Sequence, residues 1–332
     1  MKGENVLKVL FIGGTGNIST SVSKLCIEKG IDLYLLNRGT RDVEISGVKI
    51  INGDISKPDK ITELLKGHKW DAVVNWIAFN LNDIERDIKL FEGKTKQYIF
   101  ISSASAYQKP PSHPVITEST PLYNPFWDYS QNKILCEERL NHEYQSKNFP
   151  ITIVRPSLTY DTVLPVIMGG WTEYTIVDRI RKGKEIIVHG DGSSLWVVTH
   201  AEDFAKGFFG LIGHHQAIGH AFHITSDEIL TWEQIYNALA DAIGVEPNIV
   251  HISSDFIVKN ESSLKGSLLG DKSYSVIFDN AKIKTFVPDY CAVIPFNQGI
   301  KRTLEWFEAD PKRQIINEKS NELIDRIIKA YG

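Results

Sequence analysis

Apolar positions in the first half of the chain follow two alternating spacings. Short runs rich in β-branched and aromatic residues occupy 9–12, 31–36, 48–51, 72–76, 98–101 and 151–154, each the length of a buried strand. Between them, apolar residues recur at helical intervals: Ile18, Val22, Leu25 and Cys26; Ile61, Leu64 and Leu65 after the start signals Ser56 and Pro58; Leu81, Ile84 and Ile88; and Ile134, Leu135 and Leu140 in a helix starting near Tyr129. Repeated β-α-β units of this kind predict an α/β fold, a doubly wound parallel sheet with helices on both faces. After Pro156 the alternation loosens, which predicts a smaller C-terminal mixed α/β domain. The division expected is 1–156, with further sheet elements from about 185–225, and 157–332. A last amphipathic helix is expected to carry Ile315, Ile316, Leu323, Ile324, Ile327 and Ile328.

Composition narrows the class. At 332 residues the chain exceeds what one ordinary core absorbs. A hydrophobic share of 42% and a charged share of 23% are globular usage and exclude disorder. A net charge of -4 gives no electrostatic reason to expect nucleic acid or an anionic membrane as partner. Cys26, Cys136 and Cys291 are isolated from one another, so neither a disulfide framework nor a zinc site is expected, and a reducing, cytoplasmic setting fits. Cys26 and Cys136 fall on apolar helix faces as core filler. No apolar run is long enough to span a bilayer, and no secretory leader is expected.

The run Gly13-Gly14-Thr15-Gly16-Asn17-Ile18-Ser19 ends a strand and opens a helix. Gly13 permits the tight turn, and Gly16 lets backbone approach a pyrophosphate resting on the helix N-terminus. Ser19 stands where a third glycine is usual and is small enough for close packing. The run is either a plain Gly-rich turn or, as its place in the first β-α-β unit favours, the turn of a Rossmann dinucleotide site, expected to use Gly13, Thr15, Gly16, Asn17 and Ile18. About 20 residues on, where an acid would bind the ribose diol, the chain has Asn37-Arg38. Asn37 still offers a ribose hydrogen bond. Arg38 either pairs with a 2′-phosphate or is a solvated turn residue, so the cofactor is NAD(P), with NADP slightly favoured. Asp54, followed by Ile55, either meets the adenine amino group or serves as an acid at a helix start.

Tyr129 and Lys133 stand four apart, on one face of a helix. An ammonium near a phenol favours the phenolate, and such a tyrosine can exchange a proton with an alcohol oxygen while hydride moves at nicotinamide. The pair follows the fifth strand and its serine-rich end, 102–105, from which a hydroxyl can bond the reacting oxygen.

Together these segments resemble the extended short-chain dehydrogenase/reductase superfamily of nucleotide-sugar epimerases and dehydratases. The likeness adds Val73-Val74-Asn75-Trp76-Ile77-Ala78, Thr117-Glu118, Arg155-Pro156, Gly190-Asp191-Gly192 and His200-Ala201-Glu202-Asp203. It implies Ser103 as the catalytic serine, four before Tyr107, with Tyr129 as acid/base and Lys133 on the nicotinamide ribose. It implies that the Ala78 segment borders the cofactor and that two copies pair through the helices near 81–91 and 129–144 as a homodimer. It places His200 and Asp203 in a structural segment, and no metal is expected.

Departures from the family pattern bear on the substrate. Leu158 stands where an asparagine is usual, and Trp196 where an arginine holds the diphosphate. Either another cation substitutes or the substrate is not a nucleotide diphosphate sugar. Ala104-Ser105 replace the acidic pair of the dehydratases, which makes a 4,6-dehydratase an unfavoured reading. Tyr107, Trp171 and Trp196 are candidate substrate residues, with Glu173 and Tyr174 near Trp171 serving either the pocket or packing. The activity expected is oxidoreduction or epimerisation at a secondary alcohol or ketone of a sugar-like small molecule. The alternative is a Rossmann binding protein, a redox-sensing regulator or an RNA-associated relative, against which the retained Tyr129 and Lys133 argue.

Overall fold

The computed structural model describes residues 6–39 and 44–332. Seven strands form its main sheet: β1 (Lys8–Ile12), β2 (Asp32–Asn37), β3 (Lys49–Asn52), β4 (Ala72–Asn75), β5 (Tyr98–Ile101), β6 (Ile151–Pro156) and β7 (Ala221–Ile224). Their order is β7-β6-β5-β4-β1-β2-β3, and every pair is parallel. The chain winds outward from β1 to β3, crosses back to β4 and continues the other way. Strand order therefore reverses between β1 and β4, which opens a crevice at the carboxyl ends of those strands.

Central strands are apolar on both faces because helices cover both. Val9, Leu10, Phe11 and Ile12 of β1 are fully buried. On one face lie α1 (Ser19–Glu28), with Val22 and Cys26, and α5 (Ala201–Leu211), with Phe204 and Phe208. On the other lie α2 (Pro58–Leu64), α3 (Leu81–Phe91) and α4 (Asp128–Lys147), with Ile61, Ile84, Ile88, Cys136 and Leu140. Local signals set the helix ends. Pro58 occupies the first turn of α2. The Asn80 side chain accepts from the Asp83 N–H at 3.2 Å to start α3. Asn148, at φ 57°, ends α4 in the left-handed conformation.

Beyond Pro156 the elements build a second core around Trp232, Tyr236, Phe296 and Phe307. Of the segment around 185–225, Ala221–Ile224 joins the main sheet, delivered to its edge by α5. Glu185–His189 pairs instead with Asn248–Ile252, outside it. The last helix, Glu318–Tyr331, starts later than its apolar spacing predicts. The Asn317 side chain caps it by accepting from the Lys319 N–H, and Ile315 is left outside, its carbonyl taking the Tyr174 N–H at 2.7 Å.

Candidate active site

The turn after β1 is held from three sides. Gly13 N–H donates to Leu36 O at 3.1 Å, Ser23 Oγ donates to Gly14 O at 2.9 Å, and Gly16 N–H donates to Ser19 Oγ at 2.8 Å. Gly13 and Gly14 have φ of +93° and +114°, a region L side chains avoid. A Cβ on Gly14 would also lie 2.7 Å from Leu35 Cδ2. Ser19, buried at the third-glycine position, thus takes a share in shaping the turn. Asn17 behaves differently from the expectation for a cofactor contact. Its amide donates to Thr159 O at 2.9 Å and accepts from Thr162 N–H at 3.2 Å, so its side chain fastens the turn to the second core and leaves its backbone for a phosphate. Thr15, Gly16 and Ile18 lead directly into α1.

At the neighbouring strand ends, the Asn37 amide faces the carbonyls of Gly13 and Leu36; with its nitrogen turned toward them, the orientation that satisfies both, it donates at 2.8 and 3.0 Å. Arg38 is exposed beside it. Asp54 Oδ1 accepts from Ser56 N–H and Oγ at 3.0 and 2.8 Å. Those bonds, with the Arg38 charge nearby, hold its carboxyl below the usual range, and they commit that oxygen to the turn entering α2. Ile55 is buried beneath it. After β4, Asn75 Oδ1 accepts from Ile77 N–H at 2.8 Å. The Asn75 amide bonds Asp87, which also receives the Tyr98 hydroxyl at 2.6 Å and Arg86 Nε at 2.9 Å. This buried network fixes the turn that carries Ala78, and leaves Ile77 41% exposed beside Gly13. Left-handed glycines, a helix N-terminus, an exposed apolar side chain and an outer guanidinium suit a dinucleotide.

Lys133 is buried, its ammonium donating to Ala78 O at 2.6 Å and Ile101 O at 2.8 Å. It lies 5.7 Å from the centre of the Tyr129 ring and beneath Phe79, at 4.6 Å. Burial pulls its pKa down to about 8. Tyr129 is pushed above its ordinary value by burial, opposed by hydrogen bonding with Ser103. Ser103 Oγ lies 2.9 Å from Ser105 Oγ, to which Ser130 Oγ donates at 2.7 Å. A string of hydroxyls thus runs from Tyr129 into the protein.

Tyr129, Ser103 and Trp171 line one cavity of about 420 Å³, shared with Trp127, Asp271 and Lys272. The spacing of 129 and 133 and the serine-rich strand end were sufficient to find its first part. Asp271 and Lys272 carry no motif, since they arrive from a distant segment. Trp127, two residues before Tyr129, was within reach of sequence reasoning. Two expected substrate residues do not face the cavity. Tyr107 is fully buried, its hydroxyl 3.0 Å from His223 Nδ1 and its ring 4.8 Å from the Arg155 guanidinium. Trp196 is buried against Trp232, ring centres 5.6 Å apart. Both were drawn into packing because the segments carrying them join the second core. Tyr174 is likewise buried, its hydroxyl donating to Glu308 at 2.7 Å.

His200 caps α5 by accepting from Glu202 N–H, and Asp203 accepts from Val293 and Ile294 N–H at 3.0 and 2.8 Å. Both are structural contacts. Among the described residues no group of three His, Cys, Asp or Glu is placed to hold a metal ion, and no helix is long and apolar enough to cross a membrane.

Comparison with known proteins gives a consistent result. A family model described as the NAD dependent epimerase/dehydratase family matches residues 9–225. The chain is 23% identical over 289 residues to a 2'-dehydrokanamycin reductase of Streptomyces kanamyceticus, covering 86% of this chain and 81% of that protein. It is 25% identical over 261 residues to a chloroplast stem-loop binding protein of 41 kDa from Arabidopsis thaliana, covering 74% of this chain and 65% of the relative. Its fold matches a UDP-glucose 4-epimerase of Bifidobacterium longum, solved with NAD+ and UDP, at a TM-score of 0.74 and 18% identity, over 92% of this chain and 99% of that one.

Proposed function

Because the chain belongs to the NAD-dependent epimerase/dehydratase family, we propose that it is an NAD(P)-dependent oxidoreductase or epimerase of the short-chain dehydrogenase type, acting on a secondary alcohol or ketone of a sugar-like substrate. The observation that carries this reading is the meeting of Tyr129 and Ser103 in one cavity, with Lys133 held between Ile101 and the Ala78 turn. A dinucleotide, when bound, supplies or accepts the hydride. Tyr129 then gives a proton to the substrate oxygen or takes one from it. Ser103, within reach of the phenol, donates a hydrogen bond to the same oxygen. The Lys133 ammonium adds the positive charge that makes a phenolate attainable in a buried setting that otherwise disfavours it. The resting phenol is protonated, the state needed to reduce a ketone. Ser105 and Ser130 hold the Ser103 hydroxyl in a chain of hydrogen bonds. Exposed Arg38 favours NADP, and the Asn37 oxygen, turned away from the glycine loop, is available to a ribose hydroxyl.

The test is Tyr129→Phe, assayed by NADPH and NADH oxidation across a panel of keto-sugars, with dinucleotide affinity measured alongside. Turnover is expected to fall by about 10²–10⁴-fold while dinucleotide affinity stays within twofold. Full turnover in the variant refutes the assignment. A binding-only role, of the kind the stem-loop binding relative's name describes, is not favoured: a net charge of -4 offers a nucleic-acid backbone little counter-charge.

A further inference from the structure

The hydroxyls behind Ser103 carry a direction. Ser103 opens the short turn Ala104–Ala106, its Oγ accepting from Ser105 N–H at 3.2 Å and its carbonyl from Ala106 N–H at 3.1 Å. Ser105 Oγ lies 2.9 Å from Ser103 Oγ, where either can be the donor. Ser130 decides between them. It is fully buried on α4, and its Oγ donates to Ser105 Oγ at 2.7 Å. A hydroxyl has one proton to give. Ser105 receives from Ser130 and keeps its own proton for another oxygen, and among the described residues Ser103 Oγ is the neighbour placed to take it.

Both lone pairs of Ser103 Oγ are then engaged, one by the Ser105 N–H and one by the Ser105 hydroxyl. What remains is the Ser103 proton, and its open side is the cavity that Ser103 shares with Tyr129. Hydrogen bonding between Ser103 and Tyr129 there favours the phenolate. Ser105 is kept from swinging away. The buried Asn124 amide donates to Ser105 O at 2.8 Å and to Gly270 O at 2.6 Å, and its oxygen accepts from Phe126 N–H at 3.2 Å. The turn is thereby fastened to another wall of the cavity and to the segment that leads into α4.

The direction bears on the chemistry. When a ketone is reduced, negative charge builds on its oxygen, and it passes to the phenol oxygen as Tyr129 gives up its proton. A Ser103 proton aimed out of the wall meets either charge. In a reversed chain Ser103 would spend its proton on Ser105 and show the cavity a lone pair, which repels that charge. A contact that strengthens as charge develops raises turnover more than it tightens binding.

We propose that Ser130 and Ser105 are positioning residues, which polarise this hydroxyl chain outward so that Ser103 meets the reacting oxygen as a donor. The inference rests on the oxidoreductase reading and adds to it two residues that act through Ser103. Neutron diffraction from deuterium-exchanged crystals of the full chain reads the direction with no substrate present. Deuterium is expected between Ser130 and Ser105 on the Ser130 oxygen, between Ser105 and Ser103 on the Ser105 oxygen, and on Ser103 toward Tyr129. A Ser103 deuterium pointing at Ser105 overturns the proposal. Turnover gives an independent reading, with NADPH and the keto-sugar that the chain reduces fastest. Ser105→Ala, which leaves the Ser103 hydroxyl free to turn, is expected to lower kcat about 3- to 10-fold, with KM and NADPH affinity within about twofold. An unchanged kcat, or a loss confined to KM, contradicts the positioning role. If Tyr129→Phe keeps full turnover, the oxidoreductase reading fails; if that variant is inactive while the Ser103 deuterium faces Ser105, the positioning role alone fails.

Discussion

Lys133 shows how one side chain links burial to chemistry. Its ammonium is removed from water and rests on two carbonyls, neither of which carries a full negative charge. Desolvation therefore dominates and brings its pKa from 10.5 to about 8. Between those values the unfolded chain holds a proton that the folded chain has released, so stability rises as pH increases from about 8 toward 10.5. Below about 8 both states are protonated and the burial cost is fully felt. Carbon-13 labelling at lysine Cε reads this directly. One resonance, absent in Lys133→Met, is expected to titrate near 8 while surface lysines titrate above 10. A Lys133 midpoint among the surface values would contradict the desolvated placement.

At the scale of elements, what matters is how α4 is tied to the sheet, because α4 carries both Tyr129 and Lys133. Glu137, one turn after Lys133, accepts Arg155 Nε and Nη2 from β6 at 2.9 and 2.6 Å and the Ser102 hydroxyl from the end of β5 at 2.5 Å. All three are buried. Glu137→Ala would leave a guanidinium buried without its charge partner, which costs about 3–5 kcal/mol. Urea denaturation should show a loss of that size, and a loss below about 1 kcal/mol would mean that water reaches the pair. The same elements show what sequence alone conveys. Continuous apolar runs marked six of the seven main-sheet strands: the central ones are buried on both faces and have no polar face to confuse the pattern, while β3, at one edge, carries an apolar run although it is mostly exposed. β7 lacked that clarity, being a four-residue edge strand interrupted by His223. Tyr129 and Lys133 were legible as a pair because helix spacing fixes them locally, and the strand end offered a serine nearby; the choice of Ser103 came from the family resemblance. Asp271 was not legible, since a segment remote in sequence carries it to the cavity. Trp196 and Tyr107 misled for the converse reason: large aromatics read equally well as pocket or core, and tertiary packing decides.

In the whole molecule, the main sheet and the segments after Pro156 meet at one crevice. The seven-stranded sheet supplies the glycine turn, Arg38, Ala78 and the Tyr129 helix, while the segments after Pro156 supply Trp171, Asp271 and Lys272. Asn17 bridges the two through Thr159 and Thr162, so a ligand at the turn and a ligand in the cavity lie against a shared structural joint. A dinucleotide laid across the sheet is expected to bring its nicotinamide to Tyr129. A crystal structure of the NADPH complex tests it most directly. It is expected to show pyrophosphate on the amides after Gly13, the ribose on Lys133, and the ring's reactive carbon close enough to Tyr129 that a substrate bonded to the phenol sits roughly 3–3.5 Å from it. A nicotinamide bound away from Tyr129, or a dinucleotide that leaves the glycine turn empty, would contradict it.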